Sequence, residues 1–168
     1  MATLIKNGQI VENTWLRLEE ASDGSLPAVP QGQAVLVGCA VWQRHRDRLA
    51  VHQGGLGVVL TVDASLDEVG ADLERFAVVA LHIPKFGDGR ALSLARLLRE
   101  RYGYRGEVRA VGEVLHDQLA DMRRCGFDAF DLRADQDPQA ALGAFHPFSE
   151  SYQASVDRPL PLFRRRAG

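Results

Sequence analysis

From residue 34 onward, short apolar runs rich in β-branched side chains alternate with longer segments whose apolar positions recur at helical spacing. Ala34-Val35-Leu36-Val37, Gly57-Val58-Val59-Leu60-Thr61 and Ala77-Val78-Val79-Ala80-Leu81-His82-Ile83 have the near-continuous apolar pattern of strands covered on both faces. Glu107-Val108-Arg109-Ala110-Val111 predicts a fourth, more polar strand. Phe127 to Leu132 predicts a fifth, whose Asp128 and Asp131 mark a sheet edge guarded by charge. The intervening segments read as helices. Val41 to Gln53 is one. Leu66, Val69, Leu73 and Phe76 share a face behind a Ser65-Leu66-Asp67-Glu68 capping box; Ala91, Leu94, Ala95, Leu98 and Tyr102 share another, and Leu115, Leu119 and Met122 a third. Asp137-Pro138 has the form of a helix cap followed by proline in the first turn.

Strands alternating with helices through short links imply a parallel sheet, because each return to a parallel neighbour requires a crossover. The expected fold is therefore α/β: a three-layer sandwich with a mostly parallel five-stranded sheet of flavodoxin-like order. The alternative is a fragment of a barrel, which five such units do not close. Ahead of this region, Asn7-Gly8 between Leu4-Ile5-Lys6 and Gln9-Ile10-Val11 predicts an N-terminal β-hairpin, since both turn residues tolerate positive φ. The expected organisation is a hairpin extension over 1–18, a Ser-, Pro- and Gly-rich linker over 19–33, an α/β domain over 34–155 and a basic tail over 156–168.

Composition narrows the function classes. At 168 residues and 46% hydrophobic, one domain with a sizeable core is expected. The net charge of -2 gives no global basic field, so nucleic acid is not an expected partner. No apolar run approaches the roughly 20 residues that span a bilayer, and Met1 to Asn7 has no signal-peptide core, so the expected location is cytoplasmic, away from membranes. Cys39 and Cys125 stand apart, and His45, His52, His82 and His146 are scattered, which argues against a metal site, an iron–sulfur site or a dithiol centre.

The candidate chemistry gathers after the third strand, at Pro84-Lys85-Phe86-Gly87-Asp88-Gly89-Arg90. Loops at the carboxyl ends of parallel strands emerge on one edge, where ligands of α/β sheets usually bind. That edge should bring Lys85, Asp88, Gly89 and Arg90 near Glu113, His116, Asp117 and Gln118, with Arg133 and Asp135 arriving from the fifth strand. Such acids, bases and a histidine suit holding an anion or moving a proton. Each also has a plainer reading: Asp88 as a helix cap, Gly89 as turn geometry, Lys85 and Arg90 as solvated charges, His116 as a neutral surface residue. No Walker or dinucleotide fingerprint is present, so no cofactor and no catalytic residue is assigned. Arginines on the helix from Gly89 to Gly103, and in Arg158 to Arg166, offer docking faces for an acidic protein.

Several stretches together resemble a bacterial family catalogued as domain-of-unknown-function family 934: Pro84 to Arg90, Ser93 to Arg99, Arg105-Gly106-Glu107-Val108-Arg109-Ala110-Val111-Gly112, Asp117-Gln118-Leu119, Arg124 to Phe130, and the Leu4 to Val11 opening. The resemblance singles out Lys85, Phe86, Asp88, Gly89, Arg90, Arg109, Gly112, Asp117, Gln118 and Cys125. Members of that family are commonly encoded beside the haem-containing sulfite reductase and are described as probable oxidoreductases of sulfite reduction. The resemblance thus implies an accessory protein of assimilatory sulfite reduction that docks on sulfite reductase or its electron donor. The alternative is an oxidoreductase that binds a flavin, nucleotide or oxyanion at the carboxyl edge of the sheet.

Overall fold

The alternating blocks become strands and helices close to where their periods place them. The computed structural model describes residues 3–145 and 150–166. The chain opens with strands β1 (Thr3–Lys6), β2 (Gln9–Glu12) and β3 (Leu16–Leu18), and residues 19–33 then contain no strand or helix. β4 (Val35–Gly38) leads into helices α1 (Cys39–Arg44) and α2 (Arg46–Ala50), followed by β5 (Leu56–Thr61), α3 (Asp67–Gly70), β6 (Val78–Ile83) and α4 (Arg90–Glu100). β7 (Glu107–Gly112), α5 (Leu119–Cys125), β8 (Ala129–Phe130), α6 (Pro138–Leu142) and α7 (Leu162–Arg165) complete the order. Among these described residues no helix is long and apolar enough to cross a membrane.

β1 and β2 form the hairpin, with Asn7 and Gly8 at φ of 51° and 76°, the positive values that a tight two-residue turn requires. The strands join in one eight-stranded sheet of order β2-β1-β8-β7-β6-β5-β4-β3. Neighbours from β3 to β8 are parallel, whereas β1 pairs antiparallel with both β2 and β8. The sheet is therefore mixed, and the expected five-stranded sheet of flavodoxin-like order does not form. Its parallel strands follow one another in chain order without the reversal that a flavodoxin-like sheet has. Right-handed crossovers in an unreversed series place every connecting helix on the same face, so the sheet curls instead of becoming the middle layer of three.

Chain length gives an independent measure of that curl. β2 and β3 lie at opposite edges of the sheet, yet only residues 13–15 separate them. Four Cα steps reach at most about 15 Å, while eight flat strands at about 4.8 Å spacing would hold their edges about 34 Å apart. The edges are drawn together into an open barrel. The five strand-helix units that sequence alone provides do not close such a barrel; the hairpin and β3 supply the missing strands.

The two faces of the sheet differ accordingly. Ile5, Val37, Val58, Leu60, Val79, Leu81, Val108, Ala110 and Phe130 face the helices and form the main core with Trp42, Leu98, Leu119 and Met122. Leu36, Val59, Val78 and Ala80 face the other way and form a smaller cluster with Trp15 and Val111 inside the curl. Two local expectations change. β8 is not a guarded edge, because β1 covers it; Asp128 instead accepts the Val108 N–H at 2.9 Å and pairs with Arg99 at 2.8 Å. Glu68 does not complete a capping box with Ser65, for its Oε2 accepts from Gln43 Nε2 at 3.2 Å.

Candidate functional site

Inside the curl, alternate residues of each strand form layers. At the amino end of the parallel strands the interior is filled by charge. Arg109, 1% exposed, donates to Glu107 Oε1 at 2.6 Å and to Asn13 Oδ1 at 3.3 Å, and its guanidinium lies 5.6 Å from the Trp15 ring centroid. Lys6 from β1 reaches Glu107 Oε2 at 2.7 Å, so both carboxylate oxygens face a cation. Asn13 and Trp15 belong to the segment that crosses between the sheet edges, which Gln33 pins by donating to the Thr14 carbonyl at 2.8 Å. This end is closed.

Toward the carboxyl end the side chains shorten and a cavity opens. Thr61 stands beside His82, and His82 beside Val111, in the parallel register. Asp131 follows just past the end of β8, its N–H donating to the Ala110 carbonyl at 2.9 Å. Burial pushes the Asp131 carboxyl above the usual carboxylate range, with the Arg109 charge offsetting part of the effect. The His82 ring has room because of Gly112. Gly112 has φ of 97°, and a Cβ there would lie 2.5 Å from the Ile83 carbonyl oxygen and 3.2 Å from two His82 ring atoms.

The cavity, of about 540 Å³, occupies the β3–β6 side of this mouth. Val59, Thr61 and His82 line it from the strands, Arg17 from β3, Gly38, Cys39, Ala40 and Gln43 from the β4–α1 turn, and Asp63, Ala64 and Glu68 from the segment after β5. The volume falls in the range of small-molecule sites. Among the described residues Arg17 pairs only with exposed Glu19, at 3.1 Å. Glu68 accepts from the Gln43 amide and the Cys39 thiol and makes no ion pair among the described residues. Burial, reinforced by the Glu68 charge, pushes the Cys39 thiol up, so it lines the cavity as a neutral thiol. No group of three or more His, Cys, Asp or Glu suited to a metal ion occurs among the described residues.

The residues predicted from sequence share the carboxyl edge but not the cavity. Lys85, Asp88, Gly89 and Arg90 sit on the β6–α4 loop. Asp88 accepts from the Arg90 backbone N–H at 3.2 Å and from its guanidinium at 2.9 and 2.7 Å, and that guanidinium holds the carboxyl down at about 2. The remaining arm of Arg90 pairs with Asp63 on the cavity wall. Lys85 is exposed, and its carbonyl accepts the Asp88 N–H at 3.2 Å in the turn.

A second group forms after β7 and β8. Arg133 pairs with Asp135 at 2.7 and 2.8 Å and with Glu113 at 2.7 Å, which draws Asp135 to about 2. His116 Nδ1 lies 2.8 Å from Gln136 Oε1, Gln118 Oε1 accepts the Leu115 N–H at 3.4 Å, and Asp117 is exposed. Among the described residues no hydrogen bond or ion pair joins this group to the Asp88–Arg90 group. His146 lies outside the described residues.

The α4 arginines are largely engaged within the protein. Arg96 pairs with Glu100 at 2.9 Å, and Arg99 donates to the Gly126, Tyr104 and Gly106 carbonyls at 2.9, 2.8 and 2.7 Å. Cys125, half-buried, has its thiol pushed up mainly by burial. Sequence reasoning passed over Arg17, Thr61 and His82, although one signal was available. In the β6 run, Val78, Ala80 and His82 share the face opposite Val79, Leu81 and Ile83, and His82 is its single polar member, at the carboxyl end.

These features define an α/β protein built on a mixed, curled sheet, with its amino end plugged and a largely apolar cavity edged by charged side chains at the mouth. The chain belongs to the family described as "Bacterial protein of unknown function (DUF934)", which matches residues 57–163. No curated protein matches it. The matched span begins in β5 and reaches α7, so it contains Thr61, Asp63, Glu68 and His82 but not Arg17.

Proposed function

We propose that this protein is a cytoplasmic accessory protein of assimilatory sulfite reduction that acts by binding a small ligand at the mouth of its open barrel. The pathway rests on the family resemblance set out above, and the mode of action on one observation. That observation is the 540 Å³ cavity at the carboxyl ends of β4, β5 and β6, lined by Arg17, Thr61, His82 and Glu68. Loops at these ends vary without disturbing the packed strands, and their polar groups converge on one opening. A strain lacking the gene should grow with sulfide and fail with sulfate or sulfite; equal growth on all three removes the pathway assignment. In the same strain, Arg17→Ala and His82→Ala should fail to restore growth, whereas Lys85→Ala, outside the cavity, should restore it.

Docking on sulfite reductase or its electron donor is the second reading, and one surface favours it. Tyr152, Leu160 and Phe163 are 69, 52 and 57% exposed, and Arg164 lies over the Phe163 ring. Aromatic and arginine side chains at this density suit an interface anchor. Co-purification that appears at low salt and is lost on Phe163→Ala supports docking through this surface. Retention after that substitution places any docking elsewhere.

A further inference from the structure

We infer that the ligand of the mouth cavity is a zwitterion with separated charges, an anionic group at one end and an amine at the other, joined by a short apolar stretch. This rests on the reading of the cavity as a binding site and names what the site selects. The positive and negative ends of the lining come from different elements, Arg17 from β3 and Asp63 and Glu68 from the segment after β5, two strands with β4 between them, and Arg17 forms its ion pair with Glu19 rather than with either carboxylate. Arg17 enters from β3, and its ion pair with exposed Glu19 is of the solvent-screened kind that an incoming anion displaces at little cost. Glu68 enters from α3. Its partners, the Gln43 amide and the Cys39 thiol, are neutral, so its carboxylate lines the cavity with no cation paired to it among the described residues.

Asp63 adds to the negative end. Its guanidinium partner, Arg90, is shared with Asp88, so one cation serves two carboxylates. The lining also includes Gly38 from β4, the strand between β3 and β5, together with Ala40, Val59 and Ala64, which offer an alkyl segment contact and offer a second charge nothing. A simple oxyanion satisfies only Arg17 and meets repulsion from Glu68 and Asp63. An organic cation satisfies only the other end. A molecule carrying both charges on a spacer satisfies each end at once, and the like-charge penalties then discriminate against ligands with one charge.

The test is a titration of the purified full chain by calorimetry with glycine, β-alanine, γ-aminobutyrate and ε-aminocaproate, with butyrate, butylamine and sulfate as single-charge controls. Affinity should rise with spacer length to an optimum, and the best zwitterion should exceed butyrate and butylamine by about tenfold or more, the size of one charged hydrogen bond. Arg17→Ala and Glu68→Gln should each remove that advantage while leaving the unfolding midpoint in place, since both side chains are exposed. Sulfate or butyrate binding as well as the zwitterions overturns the inference and leaves the mouth as a plain anion site. No binding of any zwitterion at millimolar concentration also overturns it. Neither result touches the growth assay, which tests the pathway separately.

Discussion

The amino end of the barrel and its mouth are built from the same strands, yet they solve opposite problems. At the amino end, Glu107 and Arg109 of β7 are buried and must be neutralised within the protein, which Lys6, Asn13 and the Trp15 ring accomplish from the N-terminal segment. At the mouth, Arg17, Asp63 and Glu68 are exposed and incompletely paired. The buried Glu107–Arg109 pair, whose further partners Lys6 and Asn13 come from the N-terminal segment, fixes where that segment meets the sheet. An exposed set of charges fixes nothing about the fold and remains free to meet a ligand. One end specifies structure and the other specifies contacts.

The largest effect that separates the two ends is expected from Arg109→Ala. Removing the buried guanidinium unstacks Trp15 and leaves Asn13 without its donor; urea unfolding should show a loss of about 3 kcal/mol or more. A loss no larger than that of an exposed substitution would mean that the plug is not what holds the N-terminal segment in the sheet. Next is Gly57→Ala, where a Cβ would lie 2.5 Å from Leu36 Cδ2 and 2.9 Å from the Val78 carbonyl oxygen. Overpacking of this kind costs about 1–3 kcal/mol, and the same unfolding experiment measures it.

The mouth should behave in the reverse sense. Arg17→Ala and Glu68→Gln are expected to stay within about 0.5 kcal/mol of the parent in stability while abolishing ligand binding. If either unfolds the protein, the division between a structural end and a binding end is wrong. The smallest effect belongs to the rim. The Asp88 carboxyl is held at about 2, below its ordinary 3.8, so its contribution is present above 3.8 and is lost as pH falls toward about 2. Asp88→Asn should therefore be slightly less stable than the parent near neutrality, with the two unfolding curves converging as acid is added. Curves that stay parallel through that window would show that Arg90 does not act through the Asp88 charge.

Much of the secondary structure is legible in the sequence because it depends on local spacing. The apolar run of β6, the 3.6-residue face of α4 and the Asn7-Gly8 turn are each decided by a few neighbouring residues. The α/β class follows from the same alternation. Strand order does not, because the local pattern of a strand–helix–strand unit is the same in a reversing sheet and in an unreversed one. Asp128 and Asp131 illustrate the limit. Two acids in a late strand read as a guarded edge, and the residue that covers the edge, Ile5 against Phe130, lies more than a hundred positions earlier.

The candidate site divides along the same line. The loop after β6 was visible because its charges are adjacent in the chain, and those charges prove to pair with one another: Asp88 with Arg90, and likewise Arg133 with Asp135. Proximity in sequence favours mutual neutralisation, since two or three residues of backbone hold the partners together at little entropic cost. The cavity draws instead on Arg17, Gln43, Glu68 and His82, each unremarkable among its chain neighbours. By itself the sequence determined the elements, their alternation and the family. Only the tertiary structure decided that the sheet curls, that the hairpin joins it beside β8, and that residues spread from 17 to 82 share one opening, because these depend on contacts between segments with no local trace of their meeting.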